Sequence, residues 1–176
     1  PYKFNNKTNG VTPRRWLKHC NKPLSDLLDL KVGEGWDVDM SKLTHLEKHL
    51  GDKDFIEHWI SVKFKNKLAL TNYLGWSHGI HVDPLSMFDI QVKRIHEYKR
   101  QLLNIMHVAH LYHRICRGDT RGMVRRTVFM GGKAAPGYAR AKEVIHFANV
   151  VANKVNSDPR CDGLLQFVFL PNYGVS

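Results

Sequence analysis

Residues 91 to 100, Gln-Val-Lys-Arg-Ile-His-Glu-Tyr-Lys-Arg, place four cations and one carboxylate within ten positions. The chemistry such a stretch supports is the capture of an anion. Upstream, Phe88, Ile90 and Val92 alternate with Asp89 and Gln91, the two-residue period of a strand. Downstream, Leu102, Ile105, Met106, Ala109 and Tyr112 recur at helical spacing. The change of period falls near Ile95 and His96, so a helix starting there would carry Lys99 in its first turn. Helical side chains lean toward the N-terminus, which predicts that Lys99 converges with Lys93 and Arg94 at the strand end. Free backbone N–H groups and the helix dipole would add positive potential.

Gly131-Gly132-Lys133-Ala134-Ala135-Pro136-Gly137-Tyr138 also lies where a strand pattern passes into a helical one, a place where glycines admit close approach of a ligand or of backbone. It is not a Walker A loop, because Thr127 and Ala134 stand where that loop needs a glycine and a hydroxyl residue. The dinucleotide fingerprint fails as well, for want of a glycine at the third position after Gly131. By local physics, a structural turn and a ligand loop are equally open. Asn5 to Gly10 is a polar turn leading into a helix that starts at Thr12-Pro13 and carries Arg14, Arg15 and Trp16. Its plain reading is a surface turn, although asparagine amides can read sugar hydroxyls. His107, His110 and His113 recur along one helix with no carboxylate beside them, and are read as a solvated face rather than a metal site.

The elements that must position these groups form two regimes. Up to about Trp76 the pattern is helical, at Pro13 to Lys18, Leu24 to Leu30, Leu43 to Leu50 and Asp52 to Leu74. In the last of these Ile56, Trp59, Ile60, Phe64, Leu68 and Tyr73 form an amphipathic stripe read as core packing. After Asp83-Pro84 the order is strand, helix, strand, helix, strand, with strands at about 87 to 93, 126 to 131 and 164 to 170 and helices at about 96 to 117 and 138 to 156. The second helix shows Ala141, Val144, Ile145, Ala148, Val151 and Val155 on one face. The predicted fold class is therefore α/β, a helical segment over residues 1–84 followed by part of a parallel sheet with covering helices over residues 85–176. In such sheets ligands bind beyond the carboxyl ends of the strands, where Lys93-Arg94 and Gly131-Gly132-Lys133 both fall. A sheet of only three strands, followed at once by the final residues, suggests a piece of a longer polypeptide.

The chain has 176 residues, 43% apolar and 24% charged, with a net charge of +11 that favours acidic partners without choosing among nucleic acid, membrane phosphates and phosphorylated small molecules. The run from Arg114 to Arg126, broken by Gly118 and Gly122, reads as a solvated loop. No stretch approaches the roughly 20 apolar residues that span a bilayer, and the opening Pro-Tyr-Lys-Phe-Asn-Asn lacks the apolar core of a signal peptide. A cytoplasmic location is expected. Cys20, Cys116 and Cys161 lack metal spacing and read as buried free thiols.

Three blocks, NNKTNGVTPRRWL from Asn5, QVKRIHEYKRQLL from Gln91 and GGKAAPGY from Gly131, resemble the α-glucan phosphorylases, the glycogen, starch and maltodextrin phosphorylase family. The resemblance covers one section of a family polypeptide several times longer, from the end of its N-terminal lobe into its Rossmann-like C-terminal lobe. It implies that inorganic phosphate attacks the terminal α-1,4-linked glucosyl unit of a glucan and releases glucose 1-phosphate, with pyridoxal 5'-phosphate serving through its phosphate group. Two phosphates then approach each other. At roughly 5 Å and an effective dielectric near 20, each pair of unit charges repels by about 3 kcal/mol, which fixed cations must offset. By the same resemblance Lys93 would hold the cofactor phosphate, Arg94 would bind the substrate phosphate and Lys99 would touch the space between both. Tyr98 would sit near the glucosyl unit, Asn9 would bond sugar hydroxyls, Trp16 and Tyr173 would lie beside the cofactor, and Tyr138 would stack ligands at the site entrance. The cofactor's Schiff-base lysine is expected beyond Ser176, so the piece alone would not catalyse; the intact protein would be a homodimer.

Two positions depart from the family pattern: Gly174, where a longer polar residue is usual beside the cofactor, and Lys22-Pro23, where Asn-Pro is usual. The alternative reading is a non-catalytic basic domain that binds anions or nucleic acid. Cations converging on one strand end, with no aromatic-studded strand for base stacking, speak against nucleic acid.

Overall fold

The computed structural model describes residues 3–5 and 10–174. The chain divides into two compact units, Pro1–Ala69 and Leu70–Ser176.

In the first unit a π-helical turn, Arg14–His19, precedes helix α1, Lys22–Val32, a 3-10 segment, Met40–His49, and the start of helix α2, Lys53–His78. α1 begins where Asn21 Oδ1 accepts from the Leu24 amide at 3.4 Å, with Pro23 in the first turn, so the Lys22-Pro23 departure falls at an otherwise ordinary helix start. Leu24, Leu27, Leu28, Trp36, Phe55 and Val62 form the core. Trp36 is wholly buried there, and its indole N–H donates to Asp29 Oδ1 at 2.8 Å. Asp52 precedes α2 and accepts from the Phe55 amide at 3.1 Å and from Lys31 at 3.0 Å. Those bonds, the backbone one first, hold its carboxyl down at about 2.

The expected α2 stripe needs correction. Phe55 and Val62 face the core, while Ile56, Ile60, Phe64, Leu68 and Tyr73 are exposed. Two adjacent strips of this helix are apolar, so spacing could not say which of them the core would take. Cys20 is likewise exposed rather than buried, and only Cys161 is fully enclosed.

The second unit is a three-stranded parallel sheet in the order β1, Met87–Val92, β2, Arg126–Gly132, and β3, Leu165–Pro171. Helix α3, Gln101–Cys116, links the first two strands, and helix α4, Ala139–Asn156, the last two. Consecutive neighbouring strands joined by crossovers of one hand put both helices on the same face. That face buries Ile105, Val108, Leu111 and Ile115 of α3 and Ala148, Ala152 and Val155 of α4 against Val128, Met130, Leu165 and Phe167. The opposite face buries Phe129 and Val168 beneath Leu74, with Leu70, Ile80 and Val82. Because the last residues of α2 pack here, the compact units divide ahead of the Asp83-Pro84 turn where the strand pattern begins.

The α3 pattern had the right period and the wrong phase: Leu102 and Met106 are exposed, and the buried stripe runs through Gln101, Ile105, Val108, Leu111 and Ile115. Asn156 closes the far end of α4 by donating to the Phe167 carbonyl at 2.8 Å and accepting from its amide at 3.0 Å.

Candidate anion site at the carboxyl edge of the sheet

The register sets Val92 beside Gly131, Gly131 beside Leu170, and Gly132 beside Pro171, so the three strands end level with one another. Beyond this edge run the β1–α3 loop with Lys93, Arg94 and Lys99, the β2–α4 loop from Lys133 to Tyr138, and Asn172 to Gly174.

The β1–α3 loop departs from its predicted form. α3 starts at Gln101, not near Ile95, and Glu97–Lys99 make a single 3-10 turn. Lys99 therefore closes this turn instead of standing in the first turn of α3. Between them Arg100 takes a left-handed backbone, φ 58°, costly for a residue with a Cβ. It is held by its amide bond to the Glu97 carbonyl at 3.0 Å and by the Asn104 amide, which donates to its carbonyl at 3.3 Å. Asn172, at the end of β3, has φ 58° too. Among the described residues these two are the only non-glycines with positive φ, and both lie at this edge, as strained backbone at functional sites does.

Gly132 is required by close approach. A Cβ there would stand 2.2 Å from the Lys93 carbonyl oxygen and 2.9 Å from Ile95 Cδ1. The approach is fixed by two bonds that flank it, Lys93 N–H to the Gly131 carbonyl at 3.0 Å and Ile95 N–H to the Lys133 carbonyl at 3.1 Å. Gly131 is tight as well, its notional Cβ meeting Val92 Cγ1 at 3.3 Å and Tyr173 Cβ at 3.4 Å. Gly132 thus serves a close approach of the Lys93 backbone, and Gly131 a close approach of the Val92 and Tyr173 side chains.

The side chains divide by charge. At the amino end of the sheet the cations are paired, Arg125 with Asp83 at 2.9 Å and Arg126 with Asp89 at 2.6 Å. At the carboxyl end Lys93, Arg94, Lys99, Arg100 and Lys133 have no ion-pair partner among the described residues. The one carboxylate of the loop, Glu97, is occupied: Tyr138 Oη donates to its Oε2 at 2.6 Å and accepts from its amide at 3.3 Å. That bond raises the Tyr138 hydroxyl above its ordinary pKa and ties the two loops together. The His96 ring lies 4.3 Å from that of Tyr98 and 5.1 Å from that of Tyr138, and Lys99 Nζ stands 5.4 Å from the Tyr98 ring centre. Like charges carried on the same loop edge and left uncompensated raise one another's free energy, and an anion relieves that repulsion.

Of the expected site residues, Lys93, Arg94, Tyr98, Lys99, Tyr138 and Tyr173 thus lie on the chain segments at this edge. Trp16 belongs to the first unit, where its indole N–H donates to the Gly10 carbonyl at 3.4 Å. Asn9 lies outside the described residues. Sequence reasoning missed Gln91, Gln101 and Asn104. The available signal was Gln101 itself, a polar residue in phase with the buried stripe of α3.

A cavity of about 600 Å³ lies at the opposite, amino end of the sheet, lined in part by Asp83, Arg125, Asn156, Asp158 and Gln166. Of its charged groups, Asp158 pairs with Arg160 at 2.6 Å, Asp83 with Arg125 and Arg126 with Asp89. No cluster of three or more histidine, cysteine, aspartate or glutamate side chains able to hold a metal occurs among the described residues, and no helix there is long and apolar enough to cross a membrane.

Fold and site together define a class: an α/β domain whose parallel sheet carries uncompensated positive charge at its carboxyl edge. The chain belongs to the carbohydrate phosphorylase family, whose sequence model matches residues 1–176. It is 50% identical over 176 residues to the liver form of glycogen phosphorylase from Homo sapiens, 48% to the muscle form from Mus musculus and 49% to the brain form from Bos taurus. In each case the match takes in the whole chain and 21% of the relative, so the chain spans about a fifth of the length of these proteins.

Proposed function

We propose that this chain is the phosphate-handling section of a glycosyltransferase, an α-1,4-glucan phosphorylase that phosphorolyses terminal glucosyl units of glycogen- or starch-type glucans to glucose 1-phosphate. In this reading residues 1–84 join two lobes and residues 85–176 begin the C-terminal lobe of a cytoplasmic homodimer. The observation that carries it is the set of unpaired cations around Lys93, Arg94 and Lys99, in a chain about half identical over its whole length to glycogen phosphorylases.

Arg94 binds the attacking inorganic phosphate, its planar guanidinium suited to two oxygens at once. Lys99, on the same loop, bears on the region between the two phosphates, and Tyr98 bears on the glucosyl unit. Tyr138 receives ligands at the entrance. Pyridoxal 5'-phosphate suits the donor set, since Lys93 and Lys99 have no acidic partner to lose and Tyr173 backs onto the glycine floor of β2. When bound, the cofactor supplies a phosphate group that exchanges a proton with the substrate phosphate. Asn9 and Trp16 are proposed for the sugar and the cofactor on the resemblance of their sequence block alone.

The test is glucose 1-phosphate release by the full-length protein. Arg94→Ala is expected to raise the KM for phosphate by about 10- to 100-fold, the loss of a charged hydrogen-bonding group worth 1.5 to 3 kcal/mol. An unchanged phosphate KM would remove Arg94 from the site.

A further inference from the structure

We propose that Gln101, with Gln91, is a positioning residue for phosphate: two neutral amides that fix the backbone of the cation loop from beneath while adding no negative charge to it. The inference rests on the phosphate reading above.

Gln101 is 1% exposed, an unusual place for a carboxamide on a helix otherwise buried through aliphatic residues. Its Nε2 donates to the Arg94 carbonyl at 3.0 Å, and its Oε1 accepts from the His96 amide at 3.3 Å. It therefore holds the backbone on both sides of Ile95, whose own amide is bound to the Lys133 carbonyl. Gln91, on β1, donates from Nε2 to the Lys99 carbonyl at 3.0 Å and is itself oriented by Asn104 Nδ2, which donates to its Oε1 at 3.0 Å. Arg94 and Lys99 thus each have their carbonyl gripped by a glutamine.

The choice of amide over acid has a reason in charge. Backbone N–H and C=O groups left unpaired in this packed corner are costly, so the loop needs a side chain that both donates and accepts. A carboxylate accepts only, and would stand as a fixed counter-ion among Lys93, Arg94 and Lys99, competing with the incoming anion. A glutamine answers both bonds and leaves the positive potential whole. The same economy appears in Glu97, whose charge is turned onto the Tyr138 hydroxyl.

The experiment is calorimetric titration of inorganic phosphate into the full-length protein and its Gln101→Met, Gln91→Met and Arg94→Ala variants, beside the KM for glucan and thermal unfolding. Methionine keeps the volume and removes both amide bonds. The expected result is phosphate binding weakened by about tenfold or more in both glutamine variants, as when one charged hydrogen bond is misaimed. The glucan KM should stay within about twofold, since a loss of structure alone lowers the active fraction without separating the two ligands. Should Gln101→Met not fold, Gln91→Met, at the half-exposed position, decides alone. Wild-type phosphate affinity in the folded glutamine variants, with Arg94→Ala weakened, overturns the positioning role and leaves the phosphate site standing. Wild-type affinity in Arg94→Ala overturns both.

Discussion

Gly132→Ala is the sharpest single perturbation of this edge. The added methyl would stand 2.2 Å from the Lys93 carbonyl oxygen, and 3.2 Å from its carbon. A carbon and an oxygen rest at about 3.3 Å or more, so the chain must part here by about 1 Å. The two bonds that flank the contact, at 3.0 and 3.1 Å, cannot both survive that displacement. Losing them costs about 1 kcal/mol each, and forced overpacking adds about 1 to 3 kcal/mol, so a destabilisation of about 3 to 5 kcal/mol is expected. That is a large share of the 5 to 15 kcal/mol typical of a domain. Gly131→Ala is the matched control, because its new contacts at 3.3 to 3.6 Å are all with side-chain atoms that can yield by tenths of an ångström, costing about 1 kcal/mol. Urea unfolding of both variants, followed by circular dichroism, measures the difference. Equal midpoints for the two alanine variants would refute the close-approach argument, and with it the account of how Lys93 is held.

Further outcomes follow from the same geometry. Asn156→Ala removes a side chain that serves both backbone groups of Phe167, and should lower stability by about 1 to 3 kcal/mol in the same unfolding assay, with Asn156→Asp recovering only the accepting half. Asp52 is held at about 2 in the folded chain, below its ordinary 3.8, so the stability it contributes is present above about pH 4 and is lost as pH falls toward 2. Asp52→Asn should flatten the acid limb of the stability profile in that window while changing little near neutrality relative to its own baseline slope; an unchanged limb contradicts the assignment.

How much was legible in advance depended on whether local pattern or long-range packing chose the outcome. All three strands and the two crossover helices were readable to within a few residues because alternation and helical spacing are properties of neighbouring positions, as in Phe88, Ile90 and Val92. The start of α3 was not. His96 and Gln101 bracket a stretch whose composition suits a helix, yet Arg100 adopts a left-handed backbone because Gln91, Gln101 and the Glu97 carbonyl pull the chain into a separate turn. The phase of α3 and the exposed side of α2 failed for one reason: each helix has two neighbouring apolar strips, and only the partner surface selects between them.

By itself the sequence determined the α/β order, the family through its three blocks, and the gathering of positive charge after β1, since charge and motif are carried by residue type. Tertiary structure alone decided that the acids pair with arginines at one end of the sheet and leave the lysines and Arg94 unpaired at the other. It also decided that Gly132 must lack a side chain and that a buried glutamine answers the loop backbone. The ion pairs and the Gly132 approach depend on which segments meet across about 40 residues of chain, and Gln101 reaches back five to seven residues only because the loop folds over it; neither kind of contact leaves a periodic trace along the sequence.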